Sequence, residues 1–340
     1  MRRLALLGLL AACAAGPALT VSHPELEAEA RRTERVDLTG AEGGVLDLVT
    51  HAGDITVEVA EGPPQLVARM RLMARTEAEA ERLLAGFSVR AHAETYGLAV
   101  RLEGEPAAIT GTGLKVMPLV SYSARVPPGQ RLHAESGSGG VKVKGALGDC
   151  ALVTAFGDVK VFGVRGESVR ARTSSGSVQV EDVEARNIDI ETAFGDVRIE
   201  RARGDLAVEA GSGDVVLVGF AKGACDLETG FGNIDARGAF LDLTAKTSSG
   251  RVEVLAEPGS EVARPWSLQS SFGDVEVRIP KEFDCNLFAE TSFGCVTSDV
   301  TVRGQGRPND QRMRGELGGG GALVTLRTSS GDIRIREAPP

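Results

Sequence analysis

The chain has 340 residues, and 43 of them are glycine, near twice the usual share of roughly 7%. Hydrophobic content of 42% and charged content of 25% exclude a disordered chain, and glycine without a three-residue period excludes collagen. A net charge of −9 argues against nucleic acid as a partner, because a phosphate backbone is held by clustered Lys and Arg.

The N-terminus reads as an address. Arg2 and Arg3 precede the apolar run Leu4 to Leu10 and the small residues Ala11 and Ala12, the parts of an export signal over residues 1–20. Two processing routes fit. Leu10-Ala11-Ala12-Cys13 matches a bacterial lipobox, in which Cys13 carries the lipid and becomes the new N-terminus; ordinary signal cleavage after Ala14 or Ala18 is the alternative. No later apolar run reaches the ~20 residues of a membrane span, so any membrane contact is expected only through that lipid.

Residues 24–134 read as a β-rich N-terminal capping domain. Leu46 to Thr50 and Ile55 to Val59 alternate apolar and polar residues around His51-Ala52-Gly53-Asp54. Gln65 to Leu72, Gly97 to Leu102 and Val120 to Val126 are further strands, and Thr76 to Leu84, with Glu77, Glu79 and Glu81 near its start, is one short helix.

From residue 135 one phrase recurs, as in Thr154–Val161 (TAFGDVKV), Thr173–Val180 (TSSGSVQV) and Thr192–Ile199 (TAFGDVRI). Its glycines, from Gly139 to Gly250, are spaced 18, 19, 19, 18, 19 and 18 residues apart, on average 18.5; later steps are 23, 21 and 37. The last step equals two periods and suggests a repeat that lost its motif but kept its length. With the motif glycine as position zero, positions −7, −5, +2 and +4 are apolar (Val169, Ala171, Val178 and Val180 in one repeat) with polar residues between them. Each repeat is two short strands about a glycine corner, and only stacked copies bury its apolar side. The expected architecture for 135–338 is an all-β, parallel β-helix-like solenoid: eleven turns of about 18.5 residues, rungs ~4.8 Å apart, a rod ~50 Å long.

Three columns sharpen this. Position −1 alternates large and small, Phe156, Ser175, Phe194, Ser212, Phe231, Ser249, Phe272, which suits interleaved packing if it faces inward; Phe293 breaks the alternation. Position −3 is mostly Thr, whose stacked hydroxyls can bond across rungs. Position +1 is mostly acidic (Asp158, Asp196, Asp214, Asp274, Asp332). Capping of its own turn is favoured for it, ahead of calcium bridging or the paired carboxylates of a glycosidase. Cys150 and Cys225 share column −7 four rungs apart, too far to pair, and Trp266 occupies the same column. Cys285 and Cys295, ten residues apart, are the candidate disulfide. Arg203-Gly204-Asp205 falls at a second, looser corner, a triplet of the kind integrins read.

The capping strands, Arg125–Gln130 (RVPPGQ), the repeated SGDV of Ser212–Val215 and the closing Thr328–Ile335 (TSSGDIRI) resemble the bacterial putative-adhesin family over roughly residues 35–337. The resemblance implies a β-solenoid on the cell envelope and brings no catalytic residue with it.

No chemistry competes with that reading. The histidines His23, His51, His92 and His133 stand beside no G-x-S-x-G elbow, Gly318–Gly321 lacks a following Lys-Ser/Thr, and no cysteine spacing suits zinc. No catalytic residue, metal or cofactor is assigned. The expected function is a non-enzymatic, exported periplasmic or surface rod, monomeric, that binds or displays an envelope ligand. A polysaccharide-acting β-helix enzyme and a self-assembling scaffold are the alternatives; Arg334, Arg336, Glu337 and Pro339-Pro340 on the last strand blunt an edge against end-to-end growth.

Overall fold

A computed structural model describes residues 26–41, 43–109, 115–221, 223–305 and 310–339. The expected export signal and Cys13 lie outside these residues. β-strand is the dominant structure of the described chain, and 27 strands join in one continuous, mostly parallel sheet wound into a solenoid.

Each rung has an upstream strand ending at the glycine corner and a downstream strand beginning after it. Cys150–Phe156 lies parallel to its successor with Thr154 beside Thr173, and Val159 beside Val178 beside Val197 carries the downstream column. Columns −7, −5, −3, +2 and +4 point inward and, apart from the half-buried Ser298, are buried, so identical positions stack into one apolar core. Trp266 belongs to that core. It meets Phe240 edge-on at 6.1 Å and Phe283 at 5.3 Å, and Phe240 stacks on Phe220 at 5.7 Å.

The boundary expected at 134/135 falls inside the strand Arg131–Ser138, and the solenoid begins before it. Val45–Thr50 and Ile55–Val59 form a complete first rung, paired in parallel register with Arg131–Ser138 and Val141–Lys144. Gly97–Glu103 and Leu119–Val126 then add to the two halves of that rung, and antiparallel strands finish the end. The helix Glu77–Leu84 is capped by Thr76, whose Oγ1 accepts from the Glu79 N–H at 3.2 Å, and it buries Ala80, Leu83 and Leu84. Two strands here, Ala28–Asp37 and Ser88–Glu94, have no sequence signature. Ala30 is the one fully buried residue of the first, so apolar alternation is missing there.

The C-terminus departs from the expected simple stack. The 37-residue step from Gly294 to Gly331 is not a silent repeat. Arg312–Leu317 runs antiparallel along Cys285–Phe293 and covers the end of the rod, with Arg303–Gln305 outside it. The chain then doubles back, and Leu323–Ser330 inserts between Trp266–Phe272 and Cys285–Phe293, parallel to both. Ile333–Glu337 does the same in the other half, beside Val275–Ile279 and Val296–Ser298. The last strand in sequence is therefore interior. Arg334 and Arg336 blunt no edge; they pair with Asp274 at 2.7 Å and Glu276 at 3.3 Å. The antiparallel hairpin closes the end instead.

The corner glycines set the rung spacing. Gly213 has φ +136°, and a Cβ there would overlap the carbonyl oxygen of Gly195 in the rung before. Gly62 has φ +114° with open space around it. Gly213→Ala is expected to cost roughly 3 kcal/mol and lower the thermal midpoint by several degrees, while Gly62→Ala, with backbone strain alone, costs about 1 kcal/mol. Circular-dichroism melts of the two variants separate them.

Candidate functional site

The inward columns −3 and +2 are five steps apart. Strict alternation keeps a face only over even steps, so parity must slip inside the corner, and it slips at positions −1 and 0. The Phe column, expected to fill the core if it faced inward, is swung out instead. Phe156, Phe194, Phe231, Phe272 and Phe293 are 61%, 65%, 66%, 67% and 76% exposed.

The inserted C-terminal strand also restores the alternation that Phe293 breaks in sequence. Ser330 lies beside Phe272 on one side and Phe293 on the other. In space the row runs Ser138, Phe156, Ser175, Phe194, Ser212, Phe231, Ser249, Phe272, Ser330, Phe293 without a fault. Its rings repeat every second rung, ~9.6 Å apart.

Polar groups hold this edge rigid. On the core side, Thr154 Oγ1 donates to the Gly139 carbonyl at 2.8 Å and Thr247 Oγ1 to Gly232 at 2.9 Å; Ser270 and Thr328 repeat the bond. These hydroxyls bond across rungs, to carbonyls rather than to one another. On the outer side, the Asp column does not cap its own turn. Asp158 Oδ1 accepts from the Ser177 N–H at 3.0 Å, Asp214 from Asn233 at 2.7 Å and Asp274 from Asp332 at 2.8 Å, each one rung on. Burial works against the Asp274 charge, but the Asp332 N–H and Arg334 outweigh it and hold the carboxyl below its usual range.

Beside the rings, position −2 is small throughout, for example Ala193, Gly211, Gly230 and Ser248, and forms a floor. Position −4 raises the far wall of a shallow trough with Glu228, Lys246, Gln269, Arg327 and Glu290. Some of this wall is paired, as in Lys246–Glu228 at 2.6 Å and Arg172–Glu191 at 2.8 Å. Glu209 stands between Glu191 and Glu228, and burial, then those two charges, push its carboxyl up.

Other candidates fall apart in space. Cys285 and Cys295 are both free thiols: Cys285 opens the strand Cys285–Phe293 and Cys295 lies past the glycine corner that ends it, so the length of the strand, ~26 Å, keeps them from being brought together. Cys150 and Cys225 are buried, and burial pushes the Cys150 thiol up to about 12. Arg203 and Asp205 are exposed, but Asp205 Oδ1 accepts from the Ala224 N–H at 2.9 Å as another corner clamp. Among the described residues no three of His, Cys, Asp or Glu are placed to hold a metal.

The repeats match a family description over residues 120–222 and again over 205–336. The chain belongs to the Toastrack DUF4097 family. No curated protein matches it. Among solved structures, the Toastrack chain is similar to a putative adhesin from Parabacteroides distasonis, with 10% identity, TM-score 0.40, and 90% of this chain and 97% of that one covered. A putative adhesin from Parabacteroides merdae matches with 12% identity, TM-score 0.39, and 91% and 96% covered. A putative lipid binding protein from Parabacteroides distasonis matches with 13% identity, TM-score 0.40, and 90% and 97% covered.

One half-buried pair ties the first Toastrack rung to the second. His133 Nδ1 meets Asp47 Oδ1 at 2.7 Å, and Arg101 reaches the other carboxylate oxygen. The Asp47 bond outweighs burial and raises the His133 pKa. A raised imidazole contributes stability that is full below its unfolded value of about 6.5 and is lost as pH rises through the folded one. NMR titration is expected to place His133 above about 6.5, and Asp47→Asn to bring it back down.

Proposed function

We propose that this protein is a non-enzymatic, exported envelope rod of the adhesin type, and that its Phe edge is its docking surface. The observation that carries the reading is the row of five rings, each at least 61% exposed, in a chain with 11 Phe. Scattered apolar residues on a surface are ordinary, but an aligned row on one edge marks an interaction site. The scaffold presents it without ordering cost, since the rings sit beside corners clamped by rung-to-rung bonds.

The carboxylates that a glycosidase reading needs are engaged at the corners with backbone N–H groups, which favours binding over hydrolysis. Arg2, Arg3 and the run Leu4 to Leu10 support export, and Leu10-Ala11-Ala12-Cys13 supports a lipid on Cys13. No helix among the described residues is long and apolar enough to cross a membrane.

Two experiments test this. With p-benzoylphenylalanine at Phe231, irradiation of intact envelopes is expected to yield a cross-linked adduct, whereas the same probe at Arg198, on the outer face of the downstream strands, yields none. An edge probe that captures nothing sinks the docking reading. Mass spectrometry of the envelope-bound protein is expected to find an N-terminal Cys13 peptide carrying diacylglycerol, and Cys13→Ala to move the protein to the soluble fraction.

A further inference from the structure

We infer that the occupant of the Phe edge is a second copy of this chain, packed antiparallel so that the two rows of rings interdigitate. The inference rests on the edge being a docking surface and names its partner.

The row itself is self-complementary. Its alternating stretch has ten positions, with Ser138 at one end and Phe293 at the other; Ala52, at the same column of the first rung, is small and lies beyond Ser138. A two-fold axis between the fifth and sixth positions, Ser212 and Phe231, lays every Phe of one copy over a Ser of the other. Ser138 then meets Phe293 of the second copy at each end. The match needs an even number of alternating positions, and it is completed only because Leu323–Ser330 inserts Ser330 between the last two rings. A parallel copy in full overlap places ring on ring and fits only after slipping one rung.

The spacing suits a ring in each gap. Rings ~9.6 Å apart leave an entering ring ~4.8 Å from each neighbour, within the ~4.5–7 Å range of aromatic pairs. The small floor at position −2 lets the rings of the second copy descend beside the corner. A buried aromatic side chain contributes about 150–250 Å², so five rings about two-thirds exposed offer on the order of 600 Å² per copy. A standard interface takes about 800 Å² from each partner, and the serines and the floor supply the difference. The scarcity of Tyr and Trp, 2 and 1 in the chain, disfavours a stacked sugar in the same gaps. The expectation of a monomer came from the ends of the rod, and this contact lies along its side.

The test is the oligomeric state of the purified processed protein by sedimentation velocity from 1 to about 100 μM. A dimer is expected in that range. Phe194→Ser/Phe231→Ser is expected to weaken it at least tenfold with an unchanged circular-dichroism melt, since Ser is the residue that neighbouring rungs carry at this column. Ser138→Cys/Phe293→Cys is expected to give a dimer cross-linked 138 to 293. Within one chain those positions are nine rungs, ~43 Å, apart, so that bond forms only between copies, and each single variant serves as its control.

A protein monomeric at 100 μM overturns the inference, as does a dimer indifferent to the double Ser variant or one cross-linked through like positions. If the wild type is monomeric and the Phe231 probe in envelopes captures a glycan, a lipid or another protein, the docking reading stands and the second copy does not. If the probe captures nothing, both fall.

Discussion

At each glycine corner the carbonyl of one rung lies against the Cα of the next, closer than a Cβ allows. Gly157, Gly176, Gly195 and Gly213 each sit on the oxygen of the glycine one rung before, with φ between +136° and +153°. This contact brings the rungs into a common register. A Thr hydroxyl on the core side and an Asp carboxylate on the outer side bond to the same corner, so three different groups repeat one alignment in rung after rung. Exceptions are local: Ala210 offers no hydroxyl, and its rung keeps the glycine contact alone on that side.

The same corner produces the exposed rings. A chain that turns through an odd number of steps between two inward columns must present one residue the wrong way, and the large member of column −1 takes that place. Large and small residues still alternate there, but the gaps they leave open onto solvent rather than into the core. The core meets its own need for aromatics elsewhere, with Phe220, Phe240, Trp266 and Phe283 packed in a chain at the opposite side of the rungs.

Stacking identical columns has an electrostatic consequence as well. Opposite charges in adjacent rungs pair in register, as Arg170 does with Asp189 at 3.0 Å, while like charges repel along the column. Glu209 shows the second case; Asp274, whose neighbour in register is Asp332, is relieved by the Asp332 N–H and by Arg334 on the diagonal, and the two carboxyl pKa values move in opposite directions. At the corner itself neighbouring aspartates such as Asp196 and Asp214 are tolerable because the first accepts the backbone N–H of the second, which neutralises part of its field.

The sequence by itself determined the parallel solenoid, its period and its inward columns, because a two-residue alternation repeated every 18 or 19 residues buries apolar groups in only one way. It also contained the five-step slip between columns −3 and +2 that sends Phe194 and Phe231 outward, though alternation read on one side of the corner hides it. The Asp column was legible as corner chemistry, but its bond crosses to the next rung, and partners 18 or 19 residues away are neighbours only after winding. Strands such as Ala28–Asp37 left no trace, since an edge strand with one buried residue needs no pattern. Tertiary structure alone decided that Leu323–Ser330 enters between two earlier rungs. Order along the chain is not order along the rod: parallel pairing accepts any strand whose columns match, and the antiparallel hairpin at Arg312–Leu317 leaves the returning chain no other open place. That choice turns a row of rings broken at Phe293 into an unbroken one.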